Sequence, residues 1–185
     1  MSISLELLIR DGVESDLASC LNLDTTYETN YVWQMSIFQD TGEHRIAFKL
    51  DRLPRTLQAN YEVNIRKLRL VLSADHCFIV ATRKEEPEQI IAFLTMRLDS
   101  FHQRAIVQDI VVSPEFRRRK IGTRLLKVAR RWALERQAVQ FILETQTKNF
   151  PSIAFCQQQG LPFCGYSDQH FQNHDIAVYF GQALR

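Results

Sequence analysis

Short runs of apolar residues, separated by polar turns, dominate the middle of the chain. Three of these runs, at 78–81, 90–98 and 104–112, are rich in β-branched and aromatic residues, as strands are. The polar sequence Glu-Glu-Pro-Glu at 85–88 separates the first two runs and is typical of a turn. The spacing therefore predicts three neighbouring antiparallel strands that form a meander.

The pattern then changes from strand to helix. After residue 116 the apolar residues recur at helical spacing and form one stripe, which consists of Ile121, Leu125, Leu126, Ala129, Trp132 and Ala133. The next apolar run, at 139–145, predicts a strand parallel to 104–112, because a helix between two such strands forms a right-handed crossover. A short helix over 153–159, ended by Gly160, and a last strand over 175–180 complete the prediction.

Strand-like alternation also occurs in the first third of the chain. Residues 4–10 predict a strand, and residues 15–22 predict a short helix that begins at a Ser-Asp pair. Two β-rich runs flank the turn sequence Asp-Thr-Gly-Glu at 40–43, so we predict a β-hairpin over 30–53. The apolar residues of 54–74 follow neither the strand nor the helix period well, and they indicate only a short helix near 68–72.

The segment that joins the strand 104–112 to the following helix is strongly basic. Ser-Pro-Glu at 113–115 interrupts the strand, and four consecutive cations stand at the helix start: Arg117, Arg118, Arg119 and Lys120. Cations there repel one another and oppose the helix dipole, whereas the unpaired N–H groups of a first helical turn bind anions. Gly122 leaves room for a ligand to approach the backbone. We therefore predict a pyrophosphate site; a solvated helix face explains only later cations such as Lys127.

Composition and charge narrow the class of protein. The 185 residues are 45% hydrophobic and 24% charged, as is ordinary for a globular protein, and we expect one domain over 1–185. The net charge is only +2, so the basic cluster is local, whereas a nucleic-acid-binding protein usually spreads positive charge over a face. No apolar run in the sequence approaches the length of a membrane span. We therefore expect a cytoplasmic protein that binds neither nucleic acid nor membranes.

Cysteines and histidines do not indicate a metal site. The four cysteines include no Cys-x-x-Cys pair and no neighbouring set of histidine ligands, so reduced thiols are expected. Of the five histidines, His170 and His174 have the spacing of a helical pair, but the residues around them are typical of a loop. We assign no metal.

Two motifs resemble those of one enzyme superfamily. Arg117-x-x-Lys120-x-Gly122 resembles the Q/R-x-x-G-x-G/A motif of GNAT acyl-CoA-dependent N-acetyltransferases, with a lysine at the first glycine. The sequence at 149–161 resembles the family motif N-x-x-A-x-x-x-Y-x-x-x-G-F, with three substitutions: Ser152 for Ala, Cys156 for Tyr and Leu161 for Phe. The approach Leu-Glu-Thr-Gln-Thr at 143–147 is most similar to streptothricin acetyltransferases. The resemblance covers residues 76–183 well and the N-terminal third only loosely.

The resemblance implies a fold, a cofactor and a binding site. The fold would be α/β, with a central, mostly antiparallel mixed sheet, helices on both faces, and a parallel strand pair that splays to admit CoA. Acetyl-CoA would be the cosubstrate, with its pantetheine along the strand end and its pyrophosphate on the helix start. The residues implied in binding it are Ile110, Val111, Val112, Arg117, Arg118, Arg119, Lys120, Ile121, Gly122, Thr123 and Asn149. The hairpin over 30–53 would lie over the acceptor site, as a specificity element or only as a cover for the core.

Three side chains are candidates for the chemistry of acetyl transfer, which must deprotonate an amine and release a thiolate. Asp109 is the carboxylate nearest the strand end, and Glu144 is the next candidate, from the neighbouring strand. A role for Asp109 as partner of a strand bulge or turn is an equal alternative. Cys156 stands at the position of the family's tyrosine acid, and a thiol with an ordinary pKa of about 8.5 would match the leaving thiol. The alternatives are that Cys156 is an inert buried cysteine and that Tyr166 or Tyr179 replaces it.

Two functional hypotheses follow. The first is an N-acetyltransferase that moves the acetyl group from acetyl-CoA directly to a primary amine in a ternary complex. A small cationic acceptor is favoured, since Asp109, Glu144 and Glu28 would attract one, and a protein N-terminus or lysine side chain is the alternative. The second hypothesis is a regulatory acyl-CoA-binding module without catalysis, because Lys120 and Cys156 both depart from the family motifs. The identity of the acceptor and assembly as a homodimer stay open.

Overall fold

The computed structural model describes residues 6–184. Within that range the strands are β1 (Leu7–Asp11), β2 (Thr26–Asp40), β3 (Glu43–Asn60), β4 (His76–Arg83), β5 (Glu86–Asp99), β6 (Arg104–Val112), β7 (Gln140–Gln146), β8 (Phe163–Ser167) and β9 (Ala177–Ala183). The helices are α1 (Asp16–Leu21), α2 (Ile65–Leu70), α3 (Ile121–Glu135) and α4 (Phe150–Gln158). None of these helices is long and apolar enough to cross a membrane.

Seven of the strands form one mixed sheet in the order β1-β4-β5-β6-β7-β9-β8. Every neighbouring pair in this sheet is antiparallel except β6 and β7. Alternate residues of β4 enter two separate cores: Ile79 packs with residues of α3 and α4, and Val80 packs with residues of α1 and α2. The predicted fold class is therefore confirmed, with one parallel pair in a mostly antiparallel sheet and helices on both faces.

The crossover from β6 through α3 to β7 has the predicted form. The helix buries the predicted apolar stripe except for one member, and the buried residues are Ile121, Leu125, Leu126, Ala129 and Ala133. The exception is Trp132, which is only partly buried because it lies at the edge of the core, with the guanidinium of Arg136 3.8 Å from its ring centroid. The stripe holds α3 against the sheet and places the start of the helix beside the end of β6.

The parallel strands β6 and β7 separate along their length. They pair only from Arg104↔Gln140 to Val107↔Leu143. Beyond this point β6 stays paired with β5 and β7 stays paired with β9, so each strand follows its outer neighbour. A bulge lies at the separation, because Met96 pairs with Val107 while Thr95 pairs with Asp109, and Gln108 is the extra residue. A gap therefore opens between the carboxyl ends of the two strands.

Strands β2 and β3 form a separate hairpin that extends beyond the predicted 30–53 at both ends. The pairing is interrupted: Thr29 pairs with Leu57, whereas Tyr31 pairs with Arg52. Pro54 falls in the unpaired stretch, as expected for a residue without a backbone N–H. We call residues 26–29 with 57–60 the hairpin base, and residues 31–40 with 43–52 the hairpin arm.

Several local predictions differ from the structure. Strand β8 was not predicted, because its sequence Phe-Cys-Gly-Tyr-Ser has little apolar alternation, and it forms as an edge strand beside β9. The ambiguous stretch 54–74 divides into the end of β3 and α2, where the side chain of Asn64 caps the helix by accepting from the N–H groups of Arg66 and Lys67. The predicted first strand over 4–10 corresponds to β1, although Ser4 and Leu5 lie outside the described residues.

Candidate active site

A cavity of about 800 Å³ occupies the gap between the ends of β6 and β7. Its walls come from five places: the end of β6, the end of β7, the loop and first turn of α3, the helix α4, and the hairpin base with the residues next to it. Of the residues implied in cofactor binding, the lining includes Ile110, Val111, Val112, Arg117, Arg118, Lys120, Ile121, Gly122, Thr123 and Asn149. The structure therefore brings together every predicted binding residue except Arg119.

The loop before α3 has a backbone shape suited to an anion. Arg118 and Lys120 both have positive φ angles, of 64° and 62°, on either side of Arg119. Within the described part of the chain, the N–H groups of residues 118–123 have no hydrogen-bond acceptor. Alternating backbone handedness and free N–H groups at a helix start form a concave anion site, to which the helix dipole adds positive potential.

The side chains of the basic cluster have different partners. Nε of Arg117 donates to the carbonyl oxygen of Val112 at 2.9 Å, which ties the loop to the end of β6. Burial of this guanidinium lowers the pKa of Arg117 from its usual value, although arginine stays charged. The guanidinium of Arg119 lies 5.7 Å from the ring centroid of Phe116, outside the cavity lining. Arg118 and Lys120 are exposed at the cavity and remain available to a phosphate.

Gly122 lies close to a protein side chain as well as at the cavity. A Cβ atom at this position would lie 3.2 Å from the ring of Phe155 in α4, closer than ordinary packing. The first turn of α3 and the helix α4 therefore meet at the glycine. The sequence suggested only an open approach for a ligand, so this contact is a second reason for the glycine.

Asn149 caps the start of α4 at the opposite wall. Its side-chain oxygen accepts from the N–H of Ser152 at 3.1 Å, an N-cap that holds the helix start. Because the oxygen is used in this cap, the side-chain NH₂ group is the part of Asn149 that remains for a ligand in the cavity.

Asp109 does not line the cavity but lies behind it, only 7% exposed. Its Oδ1 accepts from the hydroxyl of Tyr61 at 2.5 Å, and its Oδ2 accepts from the hydroxyl of Thr95. Burial, and then the negative charge of Asp109, raise the pKa of the Tyr61 hydroxyl well above its usual value of 10.0. The carboxylate is thus beside the β6 bulge, as one interpretation of the sequence expected, with a tyrosine between it and the cavity.

Glu144 does line the cavity, on the far strand from Asp109. Its side chain is 9% exposed, and Oε2 lies 3.2 Å from Nε2 of His170. Nδ1 of the same ring lies 3.4 Å from the hydroxyl of Tyr179. The loop that carries His170 thus brings an imidazole to the carboxylate of Glu144. The imidazole balances the negative charge of Glu144 only when it is protonated.

Cys156 is fully buried in the core on the sheet side of α4 and does not line the cavity. Burial raises the pKa of its thiol to about 12. An acid of that strength would transfer a proton to a CoA thiolate only uphill, since an ordinary thiol has a pKa of about 8.5. Tyr166, which packs edge-on against Phe48, and Tyr179 also lie outside the lining.

Three tyrosines that line the cavity were not among the predicted site residues, although one of them belongs to the hairpin predicted to lie over the acceptor site. They are Tyr27, Tyr31 and Tyr61, from the hairpin and the segment that follows it. Their places depend on how the hairpin base folds across the sheet, and no local motif marks them. Among the described residues there is no group of three or more His, Cys, Asp or Glu side chains that could hold a metal ion.

Sequence comparison relates the chain to acetyltransferases. The sequence pattern of the acetyltransferase (GNAT) family matches residues 31–161. A streptothricin acetyltransferase of Streptomyces lavendulae is 32% identical over 94 residues, which are 51% of this chain and 46% of that protein. The match thus spans less than half the length of that relative.

Solved structures share the fold over nearly the whole chain. The crystal structure of nourseothricin acetyltransferase has a TM-score of 0.81 and 22% identity, covering 96% of this chain and 98% of that one. A Bacillus anthracis str. Ames protein, described as a streptothricin acetyltransferase in complex with acetyl coenzyme A, has a TM-score of 0.75 and 22% identity. That match covers 98% of this chain and 99% of the other. With the family pattern matching well over half of its residues, the chain belongs to the acetyltransferase (GNAT) family.

Proposed function

We propose that the protein transfers the acetyl group of acetyl-CoA to a primary amine of a small cationic molecule. Both substrates bind at once, and the amine attacks the thioester directly. The observation that carries the proposal is the separation of β6 and β7 beyond Val107 and Leu143, which opens a cavity that ends at the free N–H groups of the loop before α3. The arm that carries the thioester fits the gap between the strands, and the pyrophosphate fits the free N–H groups of the loop.

Acetyl-CoA lies along the first wall of the cavity in this proposal. The edge of β6 at residues 110–112 has lost its β7 partner, so its backbone groups can pair with the amides of pantetheine. The N–H groups of residues 118–123 receive the pyrophosphate, and Arg118 and Lys120 supply charge. The NH₂ group of Asn149 contacts the cofactor arm.

The acceptor enters beside the hairpin base. Glu28 and Glu144 both line the cavity, and each carboxylate attracts a cationic amine. Of the predicted hairpin 30–53, only Asn30 and Tyr31 contribute to the lining, so the hairpin base rather than the hairpin arm defines the acceptor wall. The names of the related proteins, which specify streptothricin and nourseothricin, support an acceptor of this class.

The chemistry depends mainly on position. The acceptor ammonium first loses a proton to become a neutral amine. Its nitrogen then forms a bond to the thioester carbon and loses a second proton as the amide forms, with both protons passing to solvent. The carbon–sulfur bond breaks, and CoA leaves as a thiolate that takes a proton from water. Holding both reactants in one cavity supplies much of the rate. Cys156 takes no part in the proposed reaction, since its thiol is buried away from the cavity.

Turnover of acetyl-CoA, followed by the appearance of free thiol, tests the proposal. The panel contains streptothricin, simple diamines and a peptide with a free N-terminus. We expect turnover with cationic small amines, and we expect Glu144→Gln to raise their KM by about tenfold through loss of one charge contact. Glu135→Gln, an exposed carboxylate at the far end of α3, is the matched control and leaves KM unchanged. Turnover only with the peptide, or calorimetric binding of acetyl-CoA without any turnover, contradicts the proposal.

A further inference from the structure

The side chain of Tyr61 lies at the point where β6 and β7 separate. Its hydroxyl donates to Oδ1 of Asp109 at 2.5 Å and lies 3.2 Å from the carbonyl oxygen of Gln108. Gln108 is the extra residue of the β6 bulge, directly after Val107, the last residue of β6 that pairs with β7. Tyr61 lines the cavity and Asp109 does not, so the tyrosine separates the carboxylate from any bound substrate.

Within residues 6–184, hydroxyl groups rather than a cation hold the carboxylate of Asp109. Among the described residues, no Lys, Arg or His forms an ion pair with it. Its two oxygens are held instead by the hydroxyls of Tyr61 and Thr95. A buried carboxylate without a cation is costly to keep, and the cost is offset when a ligand supplies the positive charge or a proton. Through its hydrogen bond to Tyr61, which lines the cavity, Asp109 is therefore one hydroxyl group away from a bound substrate.

We infer that Tyr61 takes a proton from the acceptor amine while its own hydroxyl proton passes to Asp109. This inference rests on the proposed function, because it assigns a base to that same reaction. Tyr61 is then a catalytic residue that touches the amine, Asp109 is the proton acceptor behind it, and Thr95 holds the carboxylate in place. Cys156, which stands at the position of the family's tyrosine, takes no part in this proton transfer.

The protons and bonds balance in two steps. The ammonium of the acceptor first loses a proton through Tyr61 to Asp109, and that proton exchanges to water. The neutral nitrogen then attacks the thioester carbon, and the second nitrogen proton follows the same path as the carbon–nitrogen bond becomes an amide. The carbon–sulfur bond breaks, and the thiolate takes a proton from water. Tyr61 ends each step protonated, so no separate oxidant or co-reactant is needed.

The charges around Tyr61 agree with this direction of transfer. The hydroxyl faces two carboxylates, Asp109 by hydrogen bond and Glu144 across the cavity. Burial, and then the two negative charges, raise the pKa of the tyrosine and keep it protonated before reaction. A protonated hydroxyl bound to an ionised carboxylate can accept a proton on one side only as it donates on the other.

The test compares variants that change single hydroxyl or carboxyl groups. We expect Tyr61→Phe to lower kcat by about 10²-fold or more, and to change the KM for acetyl-CoA by less than about threefold. Asp109→Asn keeps a hydrogen-bond acceptor but cannot take the proton, and it has a similar effect. The double variant is no slower than the worse single variant, because both act in one path. Tyr166→Phe removes a hydroxyl outside the cavity and leaves kcat unchanged. If Tyr61→Phe does not fold, the kcat of Asp109→Asn alone tests the inference.

A pH profile distinguishes proton transfer from a structural role. The ratio of parent to Tyr61→Phe activity falls as pH rises from about 7 to about 9.5, since more of the amine is already neutral and hydroxide replaces the base. A kcat above about one third of the parent value, or a ratio that is constant with pH, overturns the inference while the proposed function stands. A parent protein that binds acetyl-CoA without turnover on any amine overturns both.

Discussion

Lys120 has a backbone conformation that costs conformational free energy for any residue with a Cβ atom. It lies at φ 62° and ψ 17°, in the left-handed region, directly before the first residue of α3. That conformation costs an L-residue about 1–2 kcal/mol, which glycine avoids. The glycine of the related motif thus has a backbone reason at this position, and Lys120 in its place exchanges backbone freedom for a charge at the proposed phosphate site.

Replacing Lys120 by glycine tests that exchange. We expect Lys120→Gly to raise the free energy of unfolding by about 0.5–1 kcal/mol, because the left-handed strain is removed. The affinity for acetyl-CoA changes by less than about tenfold, since one partly exposed charge contact is lost while the backbone becomes more accessible. Urea unfolding and calorimetry measure the two effects.

The matched control is the same substitution at Lys127, an exposed residue inside α3. There the backbone is helical, so Lys127→Gly lowers stability by about 1 kcal/mol. Opposite signs at the two lysines support the backbone explanation. Loss of stability at Lys120 as well contradicts it, and complete loss of acetyl-CoA binding there makes the lysine the main anchor.

At the scale of elements, the two parts of the hairpin have different surroundings. The hairpin base lines the cavity, while the hairpin arm extends largely into solvent. Trp33 holds the arm to the body of the protein. Its backbone N–H donates to the carbonyl oxygen of Thr147 at 2.9 Å, and the centroid of its ring lies 5.5 Å from that of Phe180. Phe48, on the partner strand, packs beside it at 5.9 Å. The position of the hairpin base, which is the proposed acceptor wall, thus depends on this aromatic contact.

Two aromatic residues of β2 provide the test. Trp33→Ala removes the anchor and should lower the free energy of unfolding by about 2–3 kcal/mol. Phe38 is on the opposite face of the same strand and 51% exposed, so Phe38→Ala should change it by less than about 0.5 kcal/mol. Urea unfolding of both variants gives the comparison. Equal effects would mean that the hairpin arm is stabilised as a unit rather than through Trp33.

At the scale of the whole molecule, local charge matters more than total charge. The net charge is +2, yet the loop before α3 concentrates four cations, of which Arg118 and Lys120 are exposed at the cavity. The carboxylates of Glu28 and Glu144 line the same cavity. The cavity is therefore divided into a basic region suited to phosphates and an acidic region suited to an amine.

Salt should act on the basic region through the cofactor phosphates. At saturating acceptor, we expect kcat/KM for acetyl-CoA to fall about three- to tenfold between 50 and 500 mM KCl, because exposed charges are screened. Acetyl-pantetheine lacks the phosphates and should be a poorer donor with little dependence on salt. Thiol-release kinetics with both donors measure this. Equal salt dependence would show that the phosphates do not bind at the cluster.

The sequence by itself determined the elements whose burial pattern is strong and local. The stripe of α3 and the apolar runs of β4, β5, β6 and β7 predict their own structure, because period and turn chemistry are properties of neighbouring residues. The basic cluster at the start of α3 and the capping residue Asn149 are local features of the same kind. The resemblance to the family motifs, which are also local, implied eleven binding residues, and ten of them line one cavity.

Only the tertiary structure decided what depends on residues far apart in the chain. The separation of β6 from β7 results from pairing with β5 and β9, and no residue of β6 alone marks where it begins. Tyr61 reaches Asp109 across 48 positions because the hairpin base folds over the sheet. Cys156 faces the core because the packing of α4 sets its rotation, although its motif places it with the chemistry. Side-chain direction follows from packing, which a local pattern does not contain.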